Sequence, residues 1–304
     1  MPQLSFITSD VFTTTRYAGN PLAIVRIPKG EDVATETMQE IAKEFNLSET
    51  VVLHEQETTA DGIPEWRIRI FMTSAELPFA GHPTIGTACY AMGTLAKGSS
   101  KGRLLCAAGT IEIDFQGGAA KASIPHNVHI HTQRPVVAES ICAYQPALRP
   151  TVLKAIDLAS PVKGMNFVYV ELESLEALAS VSISSGKLAL KLDDDWDVGF
   201  VGSYFYAFTG GSSNGEGIVK VRSRMIEGPL EDSATGSAAC GLGALLALKQ
   251  GRKSTTFEIT QGVEMGRKSD IGVTVQLDDN LKQVKKVELS GSAVKVMEGT
   301  LDYD

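Results

Sequence analysis

"RSRMIEGPLEDSATGSAACG", residues 222–241, is the stretch that predicts the fold of this chain. It contains a short strand pattern, a tight loop, two carboxylates and a turn of small residues that opens an apolar helix. The same order recurs in "RIRIFMTSAELPFAGHPTIG", residues 67–86, at one constant offset of 155 residues and without a gap. The identical pairs at this offset are Arg67 and Arg222, Arg69 and Arg224, Glu76 and Glu231, Gly81 and Gly236, and Gly86 and Gly241. The repeat predicts a duplicated chain with two structurally similar halves that face each other.

Composition and charge narrow the classes of function. The chain has 304 residues, 43% of them hydrophobic, which allows one large domain or two of about 150 residues each. A formal net charge of −8 is spread along the chain, so we expect neither nucleic acid nor an anionic membrane as a partner. No apolar stretch approaches the ~20 residues that span a bilayer, and the first residues lack the pattern of a secretory signal. The four cysteines are scattered without a C-x-x-C spacing, which argues against a zinc site or a disulfide framework and favours a reducing, cytoplasmic location.

Short β-branched runs dominate both halves of the chain, and helix patterns are few. The helix patterns cover residues 35–47, a segment that begins near Gly81, residues 173–181, and a segment from about Gly236 to Leu248. Residues 126–137 break the strand rhythm and are expected to join two domains. The mixture predicts an α+β fold in which a sheet curls around a helix.

The two turns of small residues allow two interpretations. A glycine at a helix start lets backbone N–H groups approach a ligand, and the helix N-terminus favours a negative group there. Two such turns, brought together by pseudo-twofold symmetry, would make a cleft with N–H donors on both walls. Alternatively, the glycines only let central helices pack closely against the sheet. Neither turn carries the Gly-Lys-Ser/Thr of a P-loop or the G-x-G-x-x-G of a dinucleotide site.

Three segments resemble the signature segments of the PhzF phenazine-biosynthesis-like family: "FNLSETVVL" (45–53), "ELPFAGHPTIG" (76–86) and "EDSATGSA" (231–238). The resemblance implies the diaminopimelate-epimerase-like fold, with two pseudo-symmetric domains that each wrap a curled sheet around a central helix. It places the active site between the domains and returns the C-terminal strand to the first one. We therefore expect a first domain of residues 1–125 plus 287–304 and a second of residues 126–286. The resemblance also implies a small-molecule substrate and a homodimer.

The resemblance further assigns roles to individual residues. The acid/base carboxylate of the family falls on Glu49. The substrate-contacting positions fall on Ser48, Gly81, His82, Asp232, Gly236 and Ser237. Ser233 stands where the family usually has proline, and the loop before it lacks a usual phenylalanine near Met225, which bears on the substrate more than on the chemistry.

The same residues, taken alone, leave alternatives open. Glu49 lies between apolar stretches, where desolvation would raise its pKa for proton transfer, or it is a turn glutamate that faces water. His82 is placed to donate to a substrate carboxylate or relay a proton, or to cap the central helix. Asp232 and Ser237 are either site residues or N-caps. At the repeat offset Ser237 corresponds to His82.

Two other groups of polar residues are assigned no catalytic role. His129 and His131 have a spacing that can chelate a metal on a strand, but no Asp, Glu or Cys cluster stands near them in the sequence, so no metal site is expected. The arginines of the repeat alternate along predicted strands and should lie on the outer face or pair with Glu76 and Glu231, in a structural role.

The absence of suitably placed thiols favours an isomerase over a racemase. Related amino-acid epimerases use two thiols, each directly before one of the helix-start glycines, and here those positions are Ala80 and Thr235. Cys89 and Cys240 do not match at the repeat offset. A single carboxylate that moves a proton between two carbons needs only Glu49, with no cofactor, and no nucleotide, flavin, pyridoxal or metal motif is present. An epimerase-like enzyme and a non-catalytic binding protein of the same fold stay as alternatives.

Overall fold

Two strand-rich units make up the chain. The computed structural model describes residues 2–133, 135–186, 188–196, 199–210 and 217–303. Unit 1 comprises Met1–Ile124 with Leu289–Asp304, and unit 2 comprises Pro125–Glu288. The domain boundaries expected from the sequence lie after residue 125 and before residue 287, and the end points, residues 1 and 304, lie outside the described residues.

Unit 1 wraps its strands around one buried helix. Its strands are β1 (Gln3–Val11), β2 (Asn20–Ile27), β3 (Thr50–His54), β4 (Glu57–Thr58), β5 (Pro64–Phe71), β6 (Glu76–Leu77), β7 (Lys101–Cys106), β8 (Gly109–Gln116) and β9 (Ala119–Ser123). Its helices are α1 (Thr35–Phe45) and α2 (Gly81–Tyr90), and a π-helical turn over Ala91–Leu95 continues α2. From Gly81 to Cys89 every residue of α2 is buried, as expected for a helix that is apolar on all sides.

The strand pairings of unit 1 form a closed ring. β1 is antiparallel to β2, β2 parallel to β3, β3 antiparallel to β5, and β5 parallel to β7. β7 and β8, then β8 and β9, are antiparallel pairs. The last strand of the chain pairs with both β9 and β1 and completes the ring; numbered in chain order it is β18 (Val284–Asp302).

Unit 2 repeats this plan around a longer helix. Its strands are β10 (His129–His131), β11 (Leu153–Val162), β12 (Met165–Leu172), β13 (Phe200–Gly210), β14 (Val219–Glu227), β15 (Leu230–Asp232), β16 (Ser254–Gln261) and β17 (Ser269–Leu277). Its helices are α3 (Ala138–Tyr144), α4 (Leu175–Ala179) and α5 (Gly236–Gln250), with a 3₁₀ turn over Pro150–Val152. β11 is antiparallel to β12, β12 parallel to β13, β13 antiparallel to β14, β14 parallel to β16, and β16 antiparallel to β17. The antiparallel and parallel pairs therefore follow one another in the same order as the pairs from β1 to β8 in unit 1.

Strand register confirms the duplication residue by residue. Phe71 lies opposite Glu76 in the β5–β6 pair, and Ile226 lies opposite Glu231 in the β14–β15 pair, each at the predicted offset. α2 and α5 begin at Gly81 and Gly236, as predicted.

Three elements differ from the sequence prediction. The helix expected over residues 173–181 is only the short α4, and α3 was not predicted. The segment 126–137, expected to be a joining segment, contains β10. None of the helices in the described ranges is long and apolar enough to cross a membrane.

The second glycine of each repeat has a packing role. A Cβ on Gly86 would lie 2.6 Å from side-chain atoms of Leu22 and Val11. A Cβ on Gly241 would collide with the hydroxyl of Tyr169. For these two positions the packing interpretation therefore holds, because only glycine lets the central helix approach the sheet so closely.

Candidate active site

Glu49 lies at the junction between α1 and β3. Asn46 ends α1 in the left-handed conformation (φ 50°), and its N–H donates to the carbonyl oxygen of Ala42 at 3.2 Å. Glu49 then directly precedes β3, and only 17% of its side chain is exposed. Burial raises the pKa of Glu49, while a hydrogen bond with Ser48 acts in the opposite direction. The water-facing alternative is therefore wrong for Glu49, and its environment suits a carboxylate that both takes and gives a proton.

His82, from the start of α2, is a polar neighbour of Glu49. It is the second residue of α2, its side chain is 6% exposed, and its Nδ1 lies 3.6 Å from Oε2 of Glu49. This separation exceeds a hydrogen bond, so the contact is electrostatic and strengthens when the imidazole is protonated. Ala80, not His82, is the N-cap of α2, so the capping alternative does not hold. The start of α2 thus combines backbone N–H groups, which favour an anion, with an imidazole next to a buried carboxylate.

The start of α5, in unit 2, carries the second set of polar groups. Asp232 ends β15, and its carboxylate accepts a 2.6 Å hydrogen bond from the hydroxyl of Thr235 and a 3.4 Å one from the N–H of Ala234. Thr235 is the N-cap of α5 and makes no side-chain bond to the helix amides. Neither Asp232 nor Ser237 is the N-cap. Asp232 shapes the turn before the helix, and Ser237 is the second helical residue, the place that His82 takes in α2.

Gln261 belongs to the same turn, and the sequence analysis did not single it out. Its Nε2 donates to the carbonyl oxygen of Asp232 at 2.8 Å and to the hydroxyl of Thr235 at 2.9 Å. Its Oε1 accepts from the N–H of Thr235 at 3.2 Å. The sequence does contain a signal for Gln261. Side chains alternate between the two faces of a strand, and Gln261 lies on the same face of β16 as the buried residues Phe257 and Ile259, where a polar side chain is unusual.

The thiols of the two central helices are unsuited to acid/base chemistry. The N-caps, where related epimerases would place thiols, are Ala80 and Thr235. Burial raises the pKa of Cys89 to about 11 and that of Cys240 to about 12. Both groups therefore stay protonated at neutral pH, and a thiolate at either position is disfavoured.

The arginines of the repeat form structural ion pairs. Two bidentate pairs recur at the offset, with N–O distances of 2.6–2.8 Å: Arg69 with Glu76, and Arg224 with Glu231. These pairs confirm the prediction. Arg222 makes a further structural ion pair, with Glu264 at 2.9 Å, and its side chain is partly exposed.

The two histidines of β10 do have an acidic neighbour, contrary to the sequence analysis. Asp193 accepts a 2.9 Å bond from Nε2 of His129, and ligand atoms of His129, His131 and Asp193 lie within 4.8 Å of one another. The neighbour was missed because 62 residues separate Asp193 from His131. Both ring nitrogens of His131 are engaged, with the hydroxyl of Ser160 at 2.8 Å and the backbone N–H of Asp193 at 3.1 Å. A metal ion bound to the His131 ring would have to displace one of these hydrogen bonds, so the cluster is better suited to a structural role. That no metal binds here stays a prediction.

The fold defines the class of protein. Two sheets, each curled around a buried helix with polar groups at its start, are the α+β architecture of the diaminopimelate-epimerase-like fold. A hydroxyproline epimerase from Agrobacterium vitis shares it, with a TM-score of 0.56, 11% identity and coverage of 98% of this chain and 92% of that one.

The chain belongs to the PhzC-PhzF family, described as phenazine biosynthesis-like protein, whose family model matches residues 9–299. A trans-2,3-dihydro-3-hydroxyanthranilate isomerase from Pseudomonas aeruginosa is 33% identical over 312 residues, covering 97% of this chain and 98% of the relative. A phenazine biosynthesis protein of the PhzF family from Bacillus anthracis has the same fold, with a TM-score of 0.79, 19% identity and 99% of each chain covered. Family membership together with these relatives makes the chain an isomerase.

Proposed function

We propose that this isomerase uses Glu49 as its single acid/base, needs no cofactor, and acts on a small, unsaturated, carboxylate-bearing cyclic amino or hydroxy acid. Trans-2,3-dihydro-3-hydroxyanthranilate, the compound in the name of the Pseudomonas aeruginosa relative, belongs to this class and is the first substrate to try. The observation that carries the proposal is the largely buried carboxylate of Glu49, whose pKa is raised and which lies 3.6 Å from the buried imidazole of His82 at a helix start.

The proposed reaction conserves atoms and electrons. Glu49 takes a proton from one carbon, the electron pair moves through the adjoining double bond, and the protonated Glu49 returns the proton to the carbon at the far end of the shifted double bond. One group performs both steps, so it needs a pKa nearer the working pH than the ~4.3 of free glutamate. The burial of Glu49 acts in that direction.

The other residues bind and orient the substrate in this proposal. Backbone N–H groups at Gly81 and Gly236 hold the anionic group, as helix N-termini do. His82, Asp232 and Ser237 orient the polar substituents, and Ser48 limits the rise in the pKa of Glu49 through its hydrogen bond.

The test is solvent deuterium incorporation during turnover of trans-2,3-dihydro-3-hydroxyanthranilate, with other small cyclic amino and hydroxy acids screened next. Wild type should place deuterium on the carbon that receives the proton. Glu49→Gln keeps the size and loses the base, so the rate should fall by about 10²–10⁴-fold. Glu44→Gln, which neutralises an exposed glutamate on the neighbouring helix α1, is the matched control and should retain the rate.

Two results would overturn the proposal. If Glu49→Gln kept a near-normal rate while Cys89→Ala or Cys240→Ala lost it, a thiol mechanism would replace the carboxylate one. If wild type bound these compounds but neither converted any of them nor exchanged a proton with them, the non-catalytic binding alternative would take its place.

A further inference from the structure

A chain of hydrogen bonds runs through unit 2 and ends on the carboxylate of Asp232. The hydroxyl of Ser223 donates to the hydroxyl oxygen of Tyr204 at 2.8 Å, and Tyr204 donates to Oε1 of Gln261 at 3.0 Å. Gln261 donates to the hydroxyl of Thr235 at 2.9 Å, and Thr235 donates to Oδ2 of Asp232 at 2.6 Å. Each group donates to the next, so the polarisation of every bond favours the following one.

The chain is shielded from water along most of its length. Ser223, Tyr204 and Gln261 are 0% exposed, and Thr235 is 8% exposed. Burial also raises the pKa of Tyr204, so its hydroxyl keeps the proton that it donates. Buried polar groups destabilise a fold unless all of them are satisfied, so a fold that only needed a filled core would use apolar side chains here.

Unit 1 shows that the frame does not require these polar groups. The offset of 155 residues and the strand pairings give each member of the chain a counterpart in unit 1. In the order Ser223, Tyr204, Gln261, Thr235 and Asp232, the counterparts are Ile68, Val51, Cys106, Ala80 and Leu77. Unit 1 therefore builds the same backbone plan without a side-chain amide, carboxylate or hydroxyl at these positions.

We propose that Gln261 is the positioning residue for Asp232. Its side-chain amide bonds to the first and the last residue of the turn, to the carbonyl oxygen of Asp232 and to the N–H and hydroxyl of Thr235. These bonds hold the Thr235 hydroxyl against the Asp232 carboxylate and give the carboxylate one orientation toward the substrate. Tyr204 and Ser223 hold the amide of Gln261 in the orientation that donates to this turn. The inference rests on the proposed function, in which Asp232 orients a polar substituent of the substrate.

The first measurement is kinetic. Gln261→Met should lower kcat on trans-2,3-dihydro-3-hydroxyanthranilate by about 10-fold, as supporting groups behind a functional residue do. Tyr204→Phe, which removes one oxygen, should lower it by a smaller factor. Tyr206→Phe is the matched control: Tyr206 is 1% exposed on the same strand, and its hydroxyl contacts Glu171 at 3.4 Å, away from this chain. Its kcat should be unchanged.

A double-variant cycle separates positioning from general weakening of the fold. In an Asp232→Ala background, Gln261→Met should cause no further loss of kcat, because the group that it positions is gone. A full additional 10-fold loss in that background would overturn the proposal.

The second measurement needs no substrate. Amide hydrogen exchange in residues 232–240 should be faster than wild type in Gln261→Met and Tyr204→Phe, and unchanged in Tyr206→Phe. Unchanged exchange in Gln261→Met, or in Tyr204→Phe where Gln261→Met fails to fold, would overturn the positioning role. If wild type turns over none of the substrates tried, the proposed function fails, and the exchange measurement still decides whether Gln261 orders the turn.

Discussion

Units 1 and 2 share one backbone plan and differ in which points of it can carry a carboxylate. Strand pairing shows that Gly202 is the counterpart of Glu49 in unit 2. Thr50 pairs with Phe71 of β5, Ser203 pairs with Ile226 of β14, and Phe71 and Ile226 are related by the offset of 155 residues. The residues that precede Thr50 and Ser203, Glu49 and Gly202, are therefore equivalent. A Cβ on Gly202 would lie 2.9 Å from the ring of Phe167, so unit 2 has no room for a side chain there. In the other direction, unit 2 has Asp232 where unit 1 has leucine. The two units thus have the same backbone plan, but Glu49 is found only in unit 1 and Asp232 only in unit 2, each at a position where the other unit has no carboxylate.

The parts that stayed alike in both copies are structural. The bidentate Arg–Glu pair and the glycine that faces the sheet recur at the same offset in both units. They differ in burial, since side chains of the pair are 25% and 34% exposed in unit 1 but 7% and 11% in unit 2. Two comparisons between the units test this division of roles, and a third measurement tests the burial of Glu49.

The largest expected effect comes from exchanging the residues at one equivalent point. Asp232→Leu gives unit 2 the leucine of unit 1 and should lower kcat/KM by about 10²-fold, the loss that follows when an orienting group no longer holds the substrate. Leu77→Asp gives unit 1 the aspartate of unit 2, at a partly exposed position, and should leave the rate within about 2-fold of wild type. Steady-state kinetics of both variants on one substrate measures the contrast. Equal losses would mean that the two equivalent positions do not differ in their importance for the reaction.

The second comparison concerns the stability of the two ion pairs. Arg224→Met leaves Glu231 buried without its partner and should lower the free energy of unfolding by about 3–5 kcal/mol. The guanidinium of Arg224 also donates to the carbonyl oxygens of Leu178, Ala179 and Val181. Arg69→Met breaks a more exposed pair and should cost about 1 kcal/mol or less. Urea unfolding of the two variants gives the comparison, and a larger loss in Arg69→Met would contradict it.

The smallest expected effect is a gain in stability when Glu49 is replaced by a neutral residue. The pKa of Glu49 in the folded protein is raised by burial, so its ionised form opposes folding above that pKa and has no such effect below the unfolded value of about 4.3. Glu49→Gln should therefore have a higher Tm than wild type at neutral pH. The difference should close as the pH falls through the folded pKa toward about 4. Thermal scans across this range measure it, and a Tm difference independent of pH would show that burial of the charge is not its cause.

Local patterns predicted the frame because each repeat contains a complete strand–turn–helix unit. Runs of small and apolar residues after Gly81 and Gly236 mark helices that are buried on all sides, and the offset relates the two. The α3 helix escaped prediction since it is short and its N-cap is Val137, which has no capping side chain. β10 escaped because only three residues of an irregular segment pair as a strand.

The candidate site likewise contains residues that local sequence motifs predicted and residues that they did not. The resemblance in local motifs pointed to Glu49 and His82, and the structure places them 3.6 Å apart. Contacts between distant parts of the chain carried no such signal. Gln261 meets Thr235 across 26 residues, and Asp193 meets His131 across 62. Spacing in a sequence describes neighbours along one strand or helix, whereas these partners become neighbours only through the order of strands in the sheet.

β18 closes the ring of unit 1, with Asp302 opposite Gln3 and Ala293 opposite Val11. During translation, at about 5–20 residues per second, every residue of unit 2 before Val284 is synthesised before β18. Strands β10 to β17 are therefore made while β1 and β9 still lack their partner strand. For that interval the nascent chain presents two unpaired strand edges, which are templates for pairing with other chains. A chain that ended at Glu288 would contain all of unit 2 but would leave β1 without its β18 partner, so unit 1 would keep an open strand edge that is prone to aggregation.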